Sequence, residues 1–161
     1  MAVEYFLKIS GIQGESTDSK HKGEIELEAF SWGETQVPPA GGGGSGGGAG
    51  KVQIQDFQVT LRTSKASPKL LLACAKGQHF QEAVMVARKV GGAKHEFLKF
   101  RLREVLISSY QTGGSEQADL PIEQLSLSFG KIEIEYRPTK ADGSLDTPVT
   151  AGWDVKQNKP L

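Results

Sequence analysis

Ser19-Lys-His-Lys-Gly-Glu-Ile-Glu-Leu-Glu-Ala-Phe-Ser-Trp-Gly33 is the stretch whose reading decides the fold. It opens with a polar turn, then alternates charged and apolar residues in the two-residue period of a half-buried strand. Glu24, Glu26 and Glu28 face one way, Ile25 and Leu27 the other. Phe30 and Trp32 then fall on the parity of the glutamates, which in a straight strand would put both rings on the glutamate face. A one-residue bulge between Glu28 and Phe30 resolves the conflict by returning the large side chains to the core side. The stretch therefore reads as a long, bent strand.

The same conflict recurs outward from it. After Lys51, Val52 and Ile54 share one parity and Phe57, Val59 and Leu61 the other, so a second slip falls at Gln55 and Asp56. In 122–137, Leu125, Leu127 and Phe129 oppose Ile132, Ile134 and Tyr136, which makes Gly130 a third bulge. Val3 to Ile9 is apolar on both parities. Phe80 to Val90 alternates and ends at Gly91-Gly92. His95 to Ser109 sets Leu98, Phe100, Leu102 and Leu106 against Lys99, Arg101, Arg103, Val105 and Ile107. Val149, Ala151, Trp153 and Val155 form a closing strand. One helix is predicted, with Ser67 as N-cap, Pro68 in its first turn, Lys69 to Lys76 as its body and Gly77 as terminator. Leu70, Leu71, Cys74 and Ala75 lie on its apolar face. About seven strands, several longer than the usual ~5–6 residues, and one short flanking helix predict a mainly β protein, a closed β-barrel or a tightly closed sandwich, whose bulges supply the bends.

The chain has 161 residues, a length that fits a single domain spanning 1–161. Nineteen basic and nineteen acidic side chains give zero formal charge, which argues against a nucleic-acid partner and toward self-association. No apolar run is long enough to insert in a membrane, and Met1 to Ile9 lacks the basic start and apolar core of a signal peptide. Cytoplasmic synthesis is expected. Cys74 is alone, which excludes an internal disulfide and cysteine-based zinc or redox motifs. From about residue 37 to 51, Val-Pro-Pro-Ala and then glycine upon glycine make an extended loop with nothing to bury.

No chemistry emerges. Poly-glycine satisfies Gly-x-Gly-x-x-Gly trivially, and a P-loop ending at Gly50-Lys51 would need glycine at Ser45 and a hydroxyl at Val52. His21, His79 and His95 lack metal-ligand spacing, and Gly44-Ser45-Gly46 is not set between a strand and a helix. No catalytic residue, metal or cofactor is expected, and the protein is read as not an enzyme. What remains is an acidic row, Glu24, Glu26 and Glu28, and a basic row, Lys99, Arg101 and Arg103. Each is either a solvated face or an assembly contact between copies of the chain. Ala29, Ser31 and Gly33, opposite the large aromatics, suit close approach of a neighbour or the wall of a channel.

The ordered set Phe6-Leu-Lys-Ile-Ser-Gly-Ile, Gly14-Glu-Ser, Ser19-Lys-His-Lys-Gly-Glu-Ile, Ser31-Trp-Gly, Gly50-Lys-Val, Leu71-Leu-Ala-Cys-Ala-Lys-Gly-Gln-His-Phe, Arg88-Lys-Val-Gly-Gly, Thr112-Gly-Gly-Ser, Tyr136-Arg-Pro-Thr-Lys-Ala-Asp-Gly-Ser and Trp153 resembles the Hcp family, the haemolysin-coregulated tube proteins of type VI secretion. The resemblance covers essentially the whole chain. It implies a β-barrel related to phage tail-tube proteins that forms hexameric rings. The rings stack into a tube expelled by a contractile sheath behind a VgrG-type spike, with small effector proteins in the lumen and export without a signal peptide. Gly41, Gly42, Gly43, Gly44, Gly46, Gly47, Gly48 and Gly50 correspond to a ring-stacking loop. The alternatives are a phage-derived tail-tube protein and a monomeric ligand-binding barrel; plentiful inward apolar residues favour a filled core over a ligand cavity.

Overall fold

The computed structural model of the chain describes residues 2–36 and 51–161; the predicted glycine loop, Gly41 to Gly50, lies outside the described residues. The deciding stretch folds as two short strands, β2 (Ile25–Leu27) and β3 (Ala29–Ser31), with Glu28 between them. β2 pairs with β1 (Val3–Ile9), whereas β3 pairs with β6 (Phe57–Arg62). The Glu28 amide donates to the Thr60 carbonyl at 2.7 Å. Ile25 and Leu27 are buried, and Phe30 and Trp32 pack against the same core. The phase slip is thus where the chain changes partner strand.

The second slip separates β5 (Gln53–Ile54), which pairs with β4 (Glu34–Thr35), from β6, whose Phe57, Val59 and Leu61 are fully buried. After helix α1 (Ser67–Lys76) come β7 (His79–Lys89) and β8 (Glu96–Gly113), the longest strand. β9 (Ile122–Ser128) and β10 (Lys131–Tyr136) lie along β8 on either side of Gly130, and β11 (Val149–Asp154) and β12 (Lys159–Pro160) extend the sheet.

Gly130 is a two-sided irregularity rather than a one-strand bulge. The pairs Arg103↔Lys131 and Leu106↔Ser128 keep one register across it. Opposite it, Glu104 takes the left-handed conformation with φ 55°. Both strands change face at this rung, so Val105 and Ile107 are buried and Leu106 only half-buried, the reverse of the sequence expectation. A Cβ on residue 130 would run into the Glu104 side chain.

The helix starts differently from the expectation. Ala66 is the N-cap and makes no side-chain capping bond. Ser67 accepts from the Ser64 amide at 3.0 Å and donates to the Glu123 carboxylate at 2.8 Å, placing an anion at the helix N-terminus, where the dipole favours it. Leu70 and Ala73 are the buried apolar contacts, whereas Leu71 and Ala75 face outward. Gly77 closes the helix in the left-handed conformation that glycine accepts without strain.

The chain is mainly β with one short helix. In place of the expected seven or so strands in a closed barrel, ten strands join in one sheet that the ladders do not close, in the order β12-β11-β10-β8-β7-β1-β2 with β9, β6 and β3 branching from β8, while β4 and β5 pair apart from it. Among the described residues no ladder joins the β2 end to the β3 end, because the break at Glu28 leaves each with one partner. The sheet surrounds a core that includes Leu7, Ile25, Phe57, Leu61, Phe100 and Leu127. Phe57 stacks with Phe30 at 5.7 Å and meets Phe100 at 5.3 Å.

The connection from β1 to β2 is held against the sheet at Gly14, whose amide donates to the Gly23 carbonyl at 2.8 Å. A Cβ there would sit 2.5 Å from the Glu24 carbonyl oxygen and 2.7 Å from the Ile25 Cα. Backbone cannot swing aside as a side chain can, so Gly14→Ala is expected to lower stability by about 1–2 kcal/mol, as overpacking does. Urea denaturation measures it, and an unchanged midpoint would refute the close approach.

Candidate functional site

Because Phe57, Val59 and Leu61 point inward, the alternate residues of β6 point out, and the same holds for β9, where Leu125 and Leu127 are buried. Register then assembles two rows across four strands. Ser31, Gln58, Ser126 and Ser109 form one; Ala29, Thr60, Gln124 and Gln111 form the other. All eight are exposed or half-exposed, and none is charged, in a chain of which 24% is charged. Beyond the rows lie the Arg62–Glu28 ion pair at 2.5 Å and the Ser108 hydroxyl, which donates to Asp56 at 2.6 Å. Among the described residues no His, Cys, Asp and Glu group is arranged to hold a metal. The face offers hydrogen bonds without fixed charge.

Both edges of this four-stranded face are open among the described residues. β3 pairs only with β6. On the other side, β7 leaves β8 at Leu106, so the end of β8 from Ile107 to Gly113 pairs only with β9. Unpaired edges invite another strand or a covering element.

Of the sequence candidates, Ala29 and Ser31 lie on the face. Gly33 lies past the end of β3, beside the Gln55 side chain. Glu24 is withdrawn from its row and meets His21 Nδ1 at 2.9 Å; Glu28 pairs with Arg62, and Glu26 is exposed. The basic row is matched within the chain. Lys99 faces Glu135 at 3.8 Å, Arg101 reaches Glu82 at 2.8 Å and Glu133 at 3.9 Å, and Arg103 reaches Glu133 at 3.9 Å. Register sets Lys99 opposite Glu135 and Arg101 opposite Glu133, the cross-strand charge pairs that stabilise a sheet.

Two polar centres went unread in the sequence. Arg88, 2% exposed, donates to Glu4 at 2.7 Å and to Asp18 at 2.8 Å, with its guanidinium 4.9 Å from the Phe6 ring centre. Hydrogen bonds from Arg88, then from the Lys20 amide, hold the Asp18 carboxyl well below the usual carboxylate range, and Asp18 raises Arg88 in return. His21 stacks on Phe6 at 4.3 Å, and its Nε2 meets Glu96 at 2.6 Å. Glu123, 1% exposed, accepts from the hydroxyls of Thr63, Ser67 and Tyr110 at 2.8–2.9 Å. The one sequence signal was Arg88 following directly on the apolar run 83–87.

An apolar groove of about 520 Å³ opens beside the β3 edge, lined by Trp32, Phe100, Ile132, Ile134 and Trp153, with Glu34 as its charged residue. Trp32 Nε1 donates to the Gln55 carbonyl at 2.8 Å, while the buried Trp153 Nε1 has no acceptor among the described residues.

The family model described as the type VI secretion system effector Hcp matches residues 6–136. Protein hcp1 of Pseudomonas aeruginosa is 44% identical over 160 residues, 98% of each chain. A solved structure described as a type six secretion system protein superposes with a TM-score of 0.92 at 30% identity, covering 99% of this chain and 100% of its own. Hcp1 from Salmonella typhimurium gives 0.80 at 32% identity over the whole of both chains. With a family model spanning most of the sequence and relatives matched end to end, the chain belongs to the Hcp family of type VI secretion proteins.

Proposed function

We propose that this chain is the tube subunit of a type VI secretion apparatus, made in the bacterial cytoplasm and exported through the apparatus without a signal peptide. Six copies form a ring, rings stack into a tube, and the tube carries small effectors behind a VgrG-type spike when the sheath contracts. Its role is structural. The observation that carries this reading is the uncharged eight-residue face bounded by two open sheet edges. Edges on both sides call for a neighbour on both sides. A wall without fixed charge lets cargo of varied charge enter without strong attraction or repulsion.

Within residues 1–161, read as one unit, the sheet serves as a barrel hinged at Glu28, with β2 and β3 continuing one another across the break. Ala29 and Ser31 line the lumen, Gly33 lies at its margin, and Gly41 to Gly50 reach the next ring. Lys99, Arg101 and Arg103 are occupied within the subunit, which leaves exposed Glu26 as the acidic-row residue for contact between copies.

Negative-stain imaging of the purified protein is expected to show rings with a central hole. Ser31→Arg, which adds one charge per copy to the lumen, should keep those rings while lowering retention of a co-expressed small effector severalfold. Monomeric particles from the wild type would sink the ring. Unchanged retention in intact Ser31→Arg rings would remove Ser31 from the lumen.

A further inference from the structure

Among the described residues, two uncovered apolar patches of unlike shape lie beside the open edges. One is the concave Trp32–Trp153 groove. The other is convex: on the outward side of α1, Leu71 is 54% and Leu72 49% exposed, two large apolar side chains side by side in water. Their charged surroundings are opposite in sign. Lys69 and Lys76 lie three and four residues along the helix from Leu72, spacings that share a face, and with Lys65 before the helix they are exposed and in no ion pair among the described residues. Glu34, the groove's charged residue, is likewise exposed and unpaired among them.

The two patches cannot satisfy each other within one chain. The start of α1 is tied to Glu123, which sits opposite Thr112 of β8, whereas the groove is lined by Phe100 of the same strand. The other end of α1 leads into His79, opposite Leu106, so about 6 to 12 residues of strand separate helix and groove, roughly 20–40 Å at 3.3 Å per residue. Each patch instead flanks one open edge of the uncharged face. α1 leads into β7, which departs from β8 where the β8 edge becomes free. Trp32 directly follows Ser31 at the end of the free strand β3. A neighbour that covers one edge therefore brings the other kind of patch with it.

We propose that the Leu71–Leu72 face of α1 in one copy seats in the Trp32–Trp153 groove of the next, with Lys69 or Lys76 beside Glu34. This rests on the ring reading and names the contact that would build the ring. The contact is heterologous, helix face into groove, and so propagates around a ring instead of stopping at a dimer. It covers the exposed leucines and closes the groove over both indoles.

The chain has two tryptophans and both line the groove, so intrinsic fluorescence reports on it alone. The test pairs a helix variant, Leu71→Glu with Leu72→Glu, and a groove variant, Ala151→Arg, whose side chain is exposed at the lining. Wild type is expected to sediment as rings with blue-shifted emission. Each variant should sediment as a monomer with red-shifted emission and unchanged circular dichroism. Mixed one to one, the variants should form heterodimers and no larger species, because each retains one good half of the contact. Rings from the helix variant, or a mixture that stays monomeric, would overturn the proposal while leaving the tube reading standing. A monomeric wild type would overturn both. Equal binding of the apolar dye anilinonaphthalene sulfonate to wild-type rings and to the helix variant would show a groove still open in the ring, and would also overturn it.

Discussion

Arg88→Met lowers the unfolding free energy by about 3 kcal/mol, the lower end of the range for removing one partner of a buried ion pair. Methionine fills the space of the stem, so the loss isolates the guanidinium. Arg88 is buried, and its donors are divided between Glu4 on β1 and Asp18 in the connection that leads to β2. Without it, Asp18 stays mostly buried opposite no cation, while Glu4, 38% exposed, rehydrates in part; that relief places the effect at the low end. The pH dependence fixes the cause. Asp18 is depressed from its ordinary value of 3.8, so it binds fewer protons folded than unfolded. Its contribution is complete above about pH 4 and is lost as pH falls through the lowered folded value. Arg88 does not titrate in that window. Urea denaturation should therefore show the gap between wild type and Arg88→Met narrowing from pH 7 toward pH 2.5. A gap of constant size would assign the loss to packing on Phe6 alone.

The bends of this fold were legible and its connectivity was not, for one physical reason. A bulky residue on the wrong parity must be brought back inside, and Phe30, Trp32 and Phe57 announce that locally. At Glu104 the signal is missing, because a non-glycine residue in the left-handed conformation looks like any other glutamate, and Val105 and Ile107 were placed on the wrong face. Whether the sheet closes depends on which strand each half of a bent segment pairs with, which parity does not encode. The candidate site divides the same way. Ala29 and Ser31 stood out as small residues opposite large ones. Gln58, Thr60, Ser109, Gln111, Gln124 and Ser126 each look like ordinary solvent-facing residues and become a surface only through register. The acids beside the basic row were out of sight for the complementary reason: they lie on β7 and β10, far away in sequence and directly alongside in space.

Glu123→Ala is expected to cost about 3 kcal/mol, since hydrogen bonds to a charged acceptor contribute about 1.5–3 kcal/mol each and water can replace only part of what is lost. The carboxylate joins three places that no apolar contact alone would hold in register: Thr63 before the helix, Ser67 in its first turn and Tyr110 on β8. Alanine takes the Glu123 acceptor from all three hydroxyls, leaving Thr63 only the Pro121 carbonyl at 3.4 Å, and removes the anion from the helix N-terminus, so α1 should loosen first. Hydrogen exchange should lose protection along 67–76 before the core strands do. Tyr110 provides an independent reading. Burial, then the hydrogen bond to Glu123 and its charge, raise the phenol above its ordinary value of 10.0. A raised acid holds its proton more firmly folded than unfolded, so its contribution is present below about pH 10 and lost as pH rises through the folded value. With Glu123 gone, two of the three raising causes go too, and the alkaline fall in stability should become shallower. Tyr110→Phe in the wild-type background identifies the phenol concerned. If Glu123→Ala leaves both the alkaline limb and the protection of α1 as in wild type, the carboxylate is not what fastens the helix, and the apolar seat of Leu70 and Ala73 holds it unaided.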